Sequence, residues 1–203
     1  MNWQLFTAFI AITVVLLLTP GPIVTLVITT GSTRGVRAAL TTVAGTFLGS
    51  SLLLTAIALG LSWVVAHATY LFEILRWGGA AYLIWLGINA WRSAGQGEVK
   101  PPRGQVHFLR GFLVALSNPK TIAFFTAFLP QFVDARLPVG PQLAGMCAAS
   151  VLIAACTDSC WAVAAGLGRA WLMRPARAKF LARLSGLTLI GGGIWLSLAR
   201  RPA

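Results

Sequence analysis

Long apolar runs dominate the sequence, and the short connections between them carry most of the charge. Six runs are close to the roughly 20 residues that a helix needs to cross a bilayer. They lie at residues 4–30, 38–65, 69–91, 108–132, 141–168 and 180–199. Because these runs fill almost the whole chain, we predict an all-α membrane protein with six transmembrane helices in a single domain, residues 1–203.

The composition agrees with the apolar pattern. The chain is 57% hydrophobic and 10% charged, with a mean hydropathy of +0.80, whereas soluble domains are about 25% charged. Residues 1–5 carry no basic side chain, and the first apolar run continues past Leu18. We therefore predict no cleavable signal peptide.

The formal net charge is +12, which in a soluble protein would suggest nucleic-acid binding. Here eleven of the sixteen Lys and Arg residues lie in or beside the first, third and fifth connections. The positive-inside rule places these connections in the cytoplasm. We therefore predict no nucleic-acid partner and, with an even number of spans, both termini on the periplasmic side. A basic pair at Arg200 and Arg201 opposes this orientation.

Two of the six runs are interrupted by proline. The first interruption is T-P-G-P at residues 19–22, and the second is N-P at residues 118–119. Each begins with a residue that can cap a helix, Thr19 or Asn118, followed by proline at the first helical position. Since proline breaks a continuing helix, each run is predicted to form two half-helices, the second of which starts inside the membrane.

The interruptions occur at matching places in two halves of the chain. Residues about 1–95 and about 105–203 each contain a broken helix followed by two continuous ones. With three spans per half, the second copy is inverted in the membrane, a pattern that indicates a transporter with its binding site near the midplane. Half-helix N-termini carry unpaired N–H groups and partial positive charge, so they favour an anion such as a carboxylate. Two ordinary proline kinks are the alternative.

Two charged residues lie deep in the predicted spans, Lys120 after the second break and Asp158 in the fifth helix. Ionisable groups at this depth are functional candidates. Lys120 would strengthen an anion site. Asp158 would meet a substrate ammonium, carry a coupling proton or form a structural ion pair with Lys120, and the sequence leaves these alternatives open. The candidate substrate-binding residues are Thr19, Pro20, Gly21, Pro22, Asn118, Pro119, Lys120 and Asp158, with Asp158 also the candidate for proton coupling.

Other residues argue against metal, cofactor and enzyme chemistry. Cys147, Cys156 and Cys160 lie in one apolar run and are interpreted as packing residues, because two thiols without further ligands make a poor metal site. The chain has no H-E-x-x-H, Walker or G-x-S-x-G motif. We predict no metal, no cofactor and no enzymatic activity. Gly45 and Gly49 form a G-x-x-x-G that favours either a dimer face or packing within the chain.

Four stretches, at residues 17–49, 73–92, 111–133 and 183–199, resemble the LysE/RhtB family of amino-acid exporters. The resemblance implies a bacterial inner-membrane secondary transporter of six helices, driven by the proton motive force, with a homodimer as one assembly. It implies export of amino acids or derivatives such as homoserine lactone. The position after P-G-P is often polar in the family, and Ile23 here indicates a less polar substrate.

The residues and the resemblance together predict alternating-access export of a neutral amino acid or derivative by proton antiport. The predicted partners are this small molecule, protons and the lipid bilayer. A small-ion or metal-ion exporter of the same architecture is one alternative, although Lys120 would repel a cation. A membrane interaction protein without transport is the other, and it would not need the deep charges.

Overall fold

A computed structural model of the chain describes residues 1–67, 69–92, 106–168 and 175–198. Within these ranges the chain is helical and has no β-strand. The elements are α1 (Trp3–Leu18), α2 (Pro22–Arg34), α3 (Val36–His67), α4 (Thr69–Arg92), α5 (His107–Leu116), α6 (Pro119–Phe128), a 3-10 helix (Leu129–Phe132), α7 (Val139–Leu167) and α8 (Pro175–Leu198).

The helices fall on the six predicted runs. α1 and α2 share the first run and meet at a bend of 46°, while α5 and α6 share the fourth and meet at 40°. Among the described residues, two helices are long and apolar enough to cross a membrane, α3 and α7, and each bent pair would add one more. The protein is therefore all-helical with two to four candidate spans. α4 and α8 occupy the third and sixth runs without meeting the same criterion.

Glycines allow α3 and α5 to approach closely. A Cβ built on Gly45 would clash with the Phe108 carbonyl, and one on Gly49 would clash with the Phe112 carbonyl. The partner numbers rise together, so the two helices run parallel. The G-x-x-x-G is thus used for packing within the chain.

Contacts around α7 fix the directions of its neighbours. Thr46 of α3 lies beside Asp158. Two turns later in α3, the Leu54 carbonyl accepts a hydrogen bond from the Cys147 thiol. The numbers rise on α3 and fall on α7, so these helices are antiparallel. Gly31 of α2 packs on Ala165, and α2 runs parallel to α7. Of the three helix pairs compared, α3/α5 and α2/α7 are thus parallel, and α3/α7 is antiparallel.

The connection from α2 to α3 is a single residue. Gly35 caps α2 with φ +87°, a left-handed backbone conformation that glycine adopts without Cβ strain. Arg34 lies in the last turn of α2, where a cation interacts favourably with the helix dipole.

The cysteine interpretation is right for one residue only. Cys147 is buried against α3, whereas Cys156 and Cys160 are exposed on the outer face of α7. The interpretation of all three as small packing residues is wrong for Cys156 and Cys160, because they lie on an exposed part of the α7 surface. Large apolar side chains share this outward exposure, including Leu59 at 70% and Leu167 at 79%, as expected for a surface in contact with lipid.

The start of α1 is tied to the connection between the 3-10 helix and α7. Asn2 caps α1 by accepting hydrogen bonds from the Gln4 and Leu5 N–H groups, and its amide donates to Asp134 at 3.2 Å. Asp134 also accepts from the Arg136 side chain at 3.2 Å. The hydrogen bonds from Arg136, with that from Asn2, lower the pKa of the Asp134 carboxyl from 3.8 to about 2.

We expect Gly45→Ala to lower the thermal midpoint of the purified protein. The added methyl group would push the Phe108 backbone away, and overpacking of this kind costs about 1–3 kcal/mol. The control is Gly60→Ala in the same helix, where a Cβ meets nothing within 4 Å. Equal midpoints for the two variants would contradict the close packing of α3 and α5.

We expect Asp134→Asn to destabilise the protein at neutral pH and to have less effect in acid. Because the folded-state pKa is depressed, the carboxylate's contribution is present above the unfolded pKa and is lost from about pH 5 down to about pH 2. The measurement is the difference in thermal midpoint between wild type and variant across this range. A difference independent of pH would contradict the hydrogen bonds at Asp134.

Candidate functional site

The two helix breaks meet through a buried lysine. The Lys120 ammonium, near the start of α6, donates to the carbonyls of Leu16 at 2.8 Å and Thr19 at 2.6 Å. Leu16 lies in the last turn of α1, and Thr19 is its C-cap. Gly21 lies against the same side chain, since a Cβ there would come within 3.0 Å of the Lys120 Cδ.

This contact supplies hydrogen-bond donors to a helix end that lies inside the protein. The last carbonyls of a helix have no partner within it, and no water is available in lipid to replace one. The Lys120 ammonium donates to two carbonyls at this end and opposes the negative end of the helix dipole. The Leu16 carbonyl also accepts from the Thr19 N–H at 3.2 Å. Lys120 is only 8% exposed. The α1 carbonyls, and not solvent, therefore provide the hydrogen-bond acceptors for its positive charge.

The second break has the predicted cap. The Asn118 side chain accepts from the Lys120 N–H at 3.1 Å, and its amide donates to the Thr121 hydroxyl at 2.8 Å. Pro119 occupies the first helical position. The sequence pattern of cap and proline therefore describes the start of α6 correctly.

The first break is capped differently from the prediction. Thr19 is not the N-cap of α2, because its hydroxyl donates back to the Val15 carbonyl at 2.6 Å and ends α1. The N-cap is Gly21, which has no side chain for a cap, and Pro22 begins α2. The N-terminus of α2 therefore opens toward the interior without a side-chain oxygen covering it.

Asp158 is buried in α7, with 6% of its surface exposed. Its hydrogen-bond partner is the Thr46 hydroxyl at 3.4 Å, which also lies 3.0 Å from the Val43 carbonyl. A hydroxyl has one hydrogen to give, so Thr46 can donate to only one of these oxygens at a time. Among the described residues, the ion pairs within 4.0 Å do not include Asp158 with Lys120. The structural ion pair considered as an alternative is thus not formed.

Both charges line one small interior cavity of about 40 Å³. This volume holds a few waters at about 10–15 Å³ of probe-occupied volume each, far below the roughly 300–1,000 Å³ of clefts that hold small molecules. The three prolines of the breaks, Pro20, Pro22 and Pro119, are not part of the lining. The lining is Leu16, Leu17, Thr19, Gly21, Ile23, Val24, Ser50, Leu54, Asn118, Lys120, Thr121, Phe125, Ser150, Val151, Ala154 and Asp158.

Apolar clusters lie on two sides of the cavity. On the side of the chain's N-terminus, Phe9 packs edge-on against Phe125 and Phe132. On the side of Arg34, a smaller cluster contains Val27 and Ala162, with Ile23 packed against it. Lys120 and Asp158 therefore lie between two apolar clusters.

Four hydroxyl residues of the site were not predicted from the sequence, namely Thr46, Ser50, Thr121 and Ser150. Thr46 and Ser50 are buried and lie four residues apart in α3, so they share one face of that helix. A polar stripe within an apolar run is the signal that could have indicated them.

Apolar helices around a cavity that contains an ammonium and a carboxylate have the architecture of a membrane transport protein. The chain belongs to the LysE type translocator family, whose sequence model matches residues 14–200.

Several relatives are known by name. The chain is 32% identical to the homoserine/homoserine lactone efflux protein of Salmonella typhimurium strain LT2, over 98% of this chain and 99% of that protein. It is 31% identical to the leucine efflux protein of Klebsiella pneumoniae, over 60% of this chain and 59% of that one. It is also 31% identical to an uncharacterized membrane protein of Vibrio cholerae, over 98% of this chain and all of that one. No solved structure matches the chain.

We expect Asn118→Ala to reduce stability by about 1 kcal/mol, within the range of 0.5–2 kcal/mol for lost N-caps. The variant removes the bond to the Lys120 N–H at the start of α6. Ser117→Ala is the matched control, because its exposed hydroxyl only donates back to the Leu113 carbonyl. Thermal unfolding in detergent measures both. If the two variants lose equal stability, the capping role of Asn118 is wrong.

Proposed function

We propose that this protein exports neutral amino acids or their derivatives across the bacterial inner membrane by alternating access coupled to protons. The observation that carries the proposal is the pair of opposite charges, Lys120 and Asp158, which line one interior cavity without pairing with each other. A neutral amino acid has the complementary ammonium and carboxylate. Family membership and the named efflux relatives support the same direction of transport.

The substrate carboxylate binds at the Lys120 side of the cavity. The ammonium has three hydrogens, two of which reach the α1 carbonyls, so one donor is left for a ligand. Gly21, Ile23 and Asn118, at the start of α2 and α6, line the same cavity. Half-helix N-termini add partial positive charge there.

The substrate ammonium binds at Asp158. A buried carboxylate with a single long hydrogen bond is poorly compensated, and a bound cation would remove this deficit. A proton would do so equally. The same carboxylate therefore serves as the proton carrier, exchanging its proton for the substrate on each cycle. A metal or other inorganic cation is disfavoured because Lys120 faces the same cavity.

The walls between these charges suit an apolar side chain. Ile23, Val24, Leu54 and Val151 all line the cavity. Leucine would suit this surface, and the leucine efflux relative supports it as a substrate, while the homoserine/homoserine lactone relative supports small polar amino acids as further candidates.

In the membrane, α4 and α8 provide the third and sixth spans, so that two three-helix repeats of inverted topology surround the site. The pairing of α4 with α8 and of α3 with α7 supports this symmetry, because each helix then packs on its counterpart in the other repeat.

The basic connections face the cytoplasm and both termini face the periplasm. A homodimer would use a face other than Gly45 and Gly49. Four basic residues that favour this orientation lie outside the described residues, namely Lys100, Arg103, Arg169 and Arg174, and so do Arg200 and Arg201, which oppose it.

Alternating access requires the apolar clusters on the two sides of the cavity to separate in turn. The bends at the breaks, 46° and 40°, provide the points where α1 and α5 can swing relative to α2 and α6. The cavity of about 40 Å³ would then enlarge toward one side at a time.

The test is leucine efflux from loaded proteoliposomes with a more acidic medium outside. An inward proton gradient should accelerate efflux by the wild type. In Asp158→Asn the side chain can neither release a proton nor balance an ammonium, so the acceleration should disappear.

Asp134→Asn is the matched control for this experiment, because it removes a carboxylate at the connection before α7 and leaves the cavity intact. Full gradient-driven efflux by Asp158→Asn would show that the proposed proton role is wrong.

A further inference from the structure

Ser50 differs from the other hydroxyl residues of the cavity. Its side chain is 8% exposed and lines the cavity, yet it has no hydrogen-bond partner in the part of the chain that the structure describes. Thr19 and Ser150, in contrast, donate to the main-chain carbonyls of Val15 and Met146 at 2.6 and 2.7 Å. A serine hydroxyl can donate one hydrogen bond and accept others, and that of Ser50 does neither within the described residues while it lines the cavity. Ser50 is therefore a candidate for contact with whatever occupies the cavity.

The neighbouring residue shows that this is not a general property of serines in α3. The Ser51 hydroxyl donates to the Phe47 carbonyl at 2.7 Å. Ser51 lines a separate apolar groove between α3 and α7 instead of the central cavity. Two adjacent serines of one helix thus differ in both hydrogen bonding and surroundings.

The packing of α3 on α7 locates Ser50 relative to Asp158. Thr46 lies beside Asp158, and Leu54 lies beside Cys147. Ser50 is one turn, about 6 Å, from Thr46 along the same face. It therefore lies displaced from the carboxylate toward Leu54.

The packing of α2 on α7 displaces Lys120 in the same direction. Gly31 packs on Ala165, and seven residues earlier in each helix, Val24 and Asp158 both line the cavity. Gly21 comes three residues before Val24, and the Lys120 side chain lies against it. Lys120 and Ser50 are therefore both displaced from Asp158 toward the end of the cavity that contains Leu16 and Leu54.

We propose that Ser50 is a substrate-binding residue that donates a hydrogen bond to the substrate carboxylate, beside the Lys120 ammonium. This inference rests on the proposed function. One carboxylate oxygen accepts from Lys120 and the other from Ser50, while the substrate ammonium faces Asp158.

The arrangement has a consequence for the class of substrate. Among the other hydroxyls that line the cavity, Thr19 and Ser150 already donate to main-chain carbonyls, while Thr121, next to Lys120 in sequence, accepts from the Asn118 amide. Because the walls are apolar, the donors left for a ligand are concentrated near Lys120, where the carboxylate binds. The site selects α-amino acids with a free carboxylate and an apolar side chain over amines and lactones, which lack that group.

The experiment uses the full-length protein in proteoliposomes and measures half-saturation for leucine and inhibition by 3-methylbutylamine, the amine that remains when leucine loses its carboxylate. Ser50→Ala should weaken leucine binding about tenfold, the effect of losing a hydrogen bond to a charged group. Inhibition by the amine should stay at the wild-type level. Ser51→Ala, the adjacent control, should leave both values unchanged.

Ser50→Cys keeps the size of the side chain with a much weaker donor and should behave like Ser50→Ala, so the test does not depend on one variant folding. Unchanged leucine half-saturation in both Ser50 variants overturns the proposal. An equal loss for leucine and for the amine also overturns it, because Ser50 would then not contact the carboxylate. Failure of the wild type to transport any amino acid would instead overturn the proposed function.

Discussion

The structure depends on how the end of α1 is satisfied inside the protein. Ending a helix away from water leaves carbonyls in need of donors, and the Lys120 ammonium donates to two carbonyls at the end of α1, those of Leu16 and Thr19. These residues are about 100 positions apart in sequence. One side chain therefore joins the two broken helices, and neither break is an isolated kink.

This joint determines the electrostatics of the site. Lys120 is bound by α1 carbonyls and forms no ion pair with Asp158, whose hydrogen bond from Thr46 is long. The interior therefore contains a cation and a carboxylate that line one cavity without direct contact. In the proposed mechanism a zwitterion would bind between these charges, and its departure would let Asp158 take up a proton.

The sequence predicts the helices well because apolar length and proline both act locally. All six runs are helical in the described residues, and the cap at Asn118 follows from its own sequence neighbours. The start of α2 was predicted less well, since both Thr19 and Gly21 can precede a helix and only packing decides where the chain unwinds. The partners of Lys120 are distant in sequence, and a hydroxyl such as Ser50 normally bonds to its own helix, so neither feature leaves a local signal.

The most direct test of this account is the thermal midpoint of purified Lys120→Gln, compared with wild type, without and with saturating leucine. A ligand that binds only the folded state raises the midpoint by mass action. The account predicts that the variant melts at a lower temperature without leucine, because the α1 carbonyls lose a charged donor, and that leucine raises the midpoint of the wild type alone. A variant that melts like the wild type and is stabilised equally by leucine would contradict it.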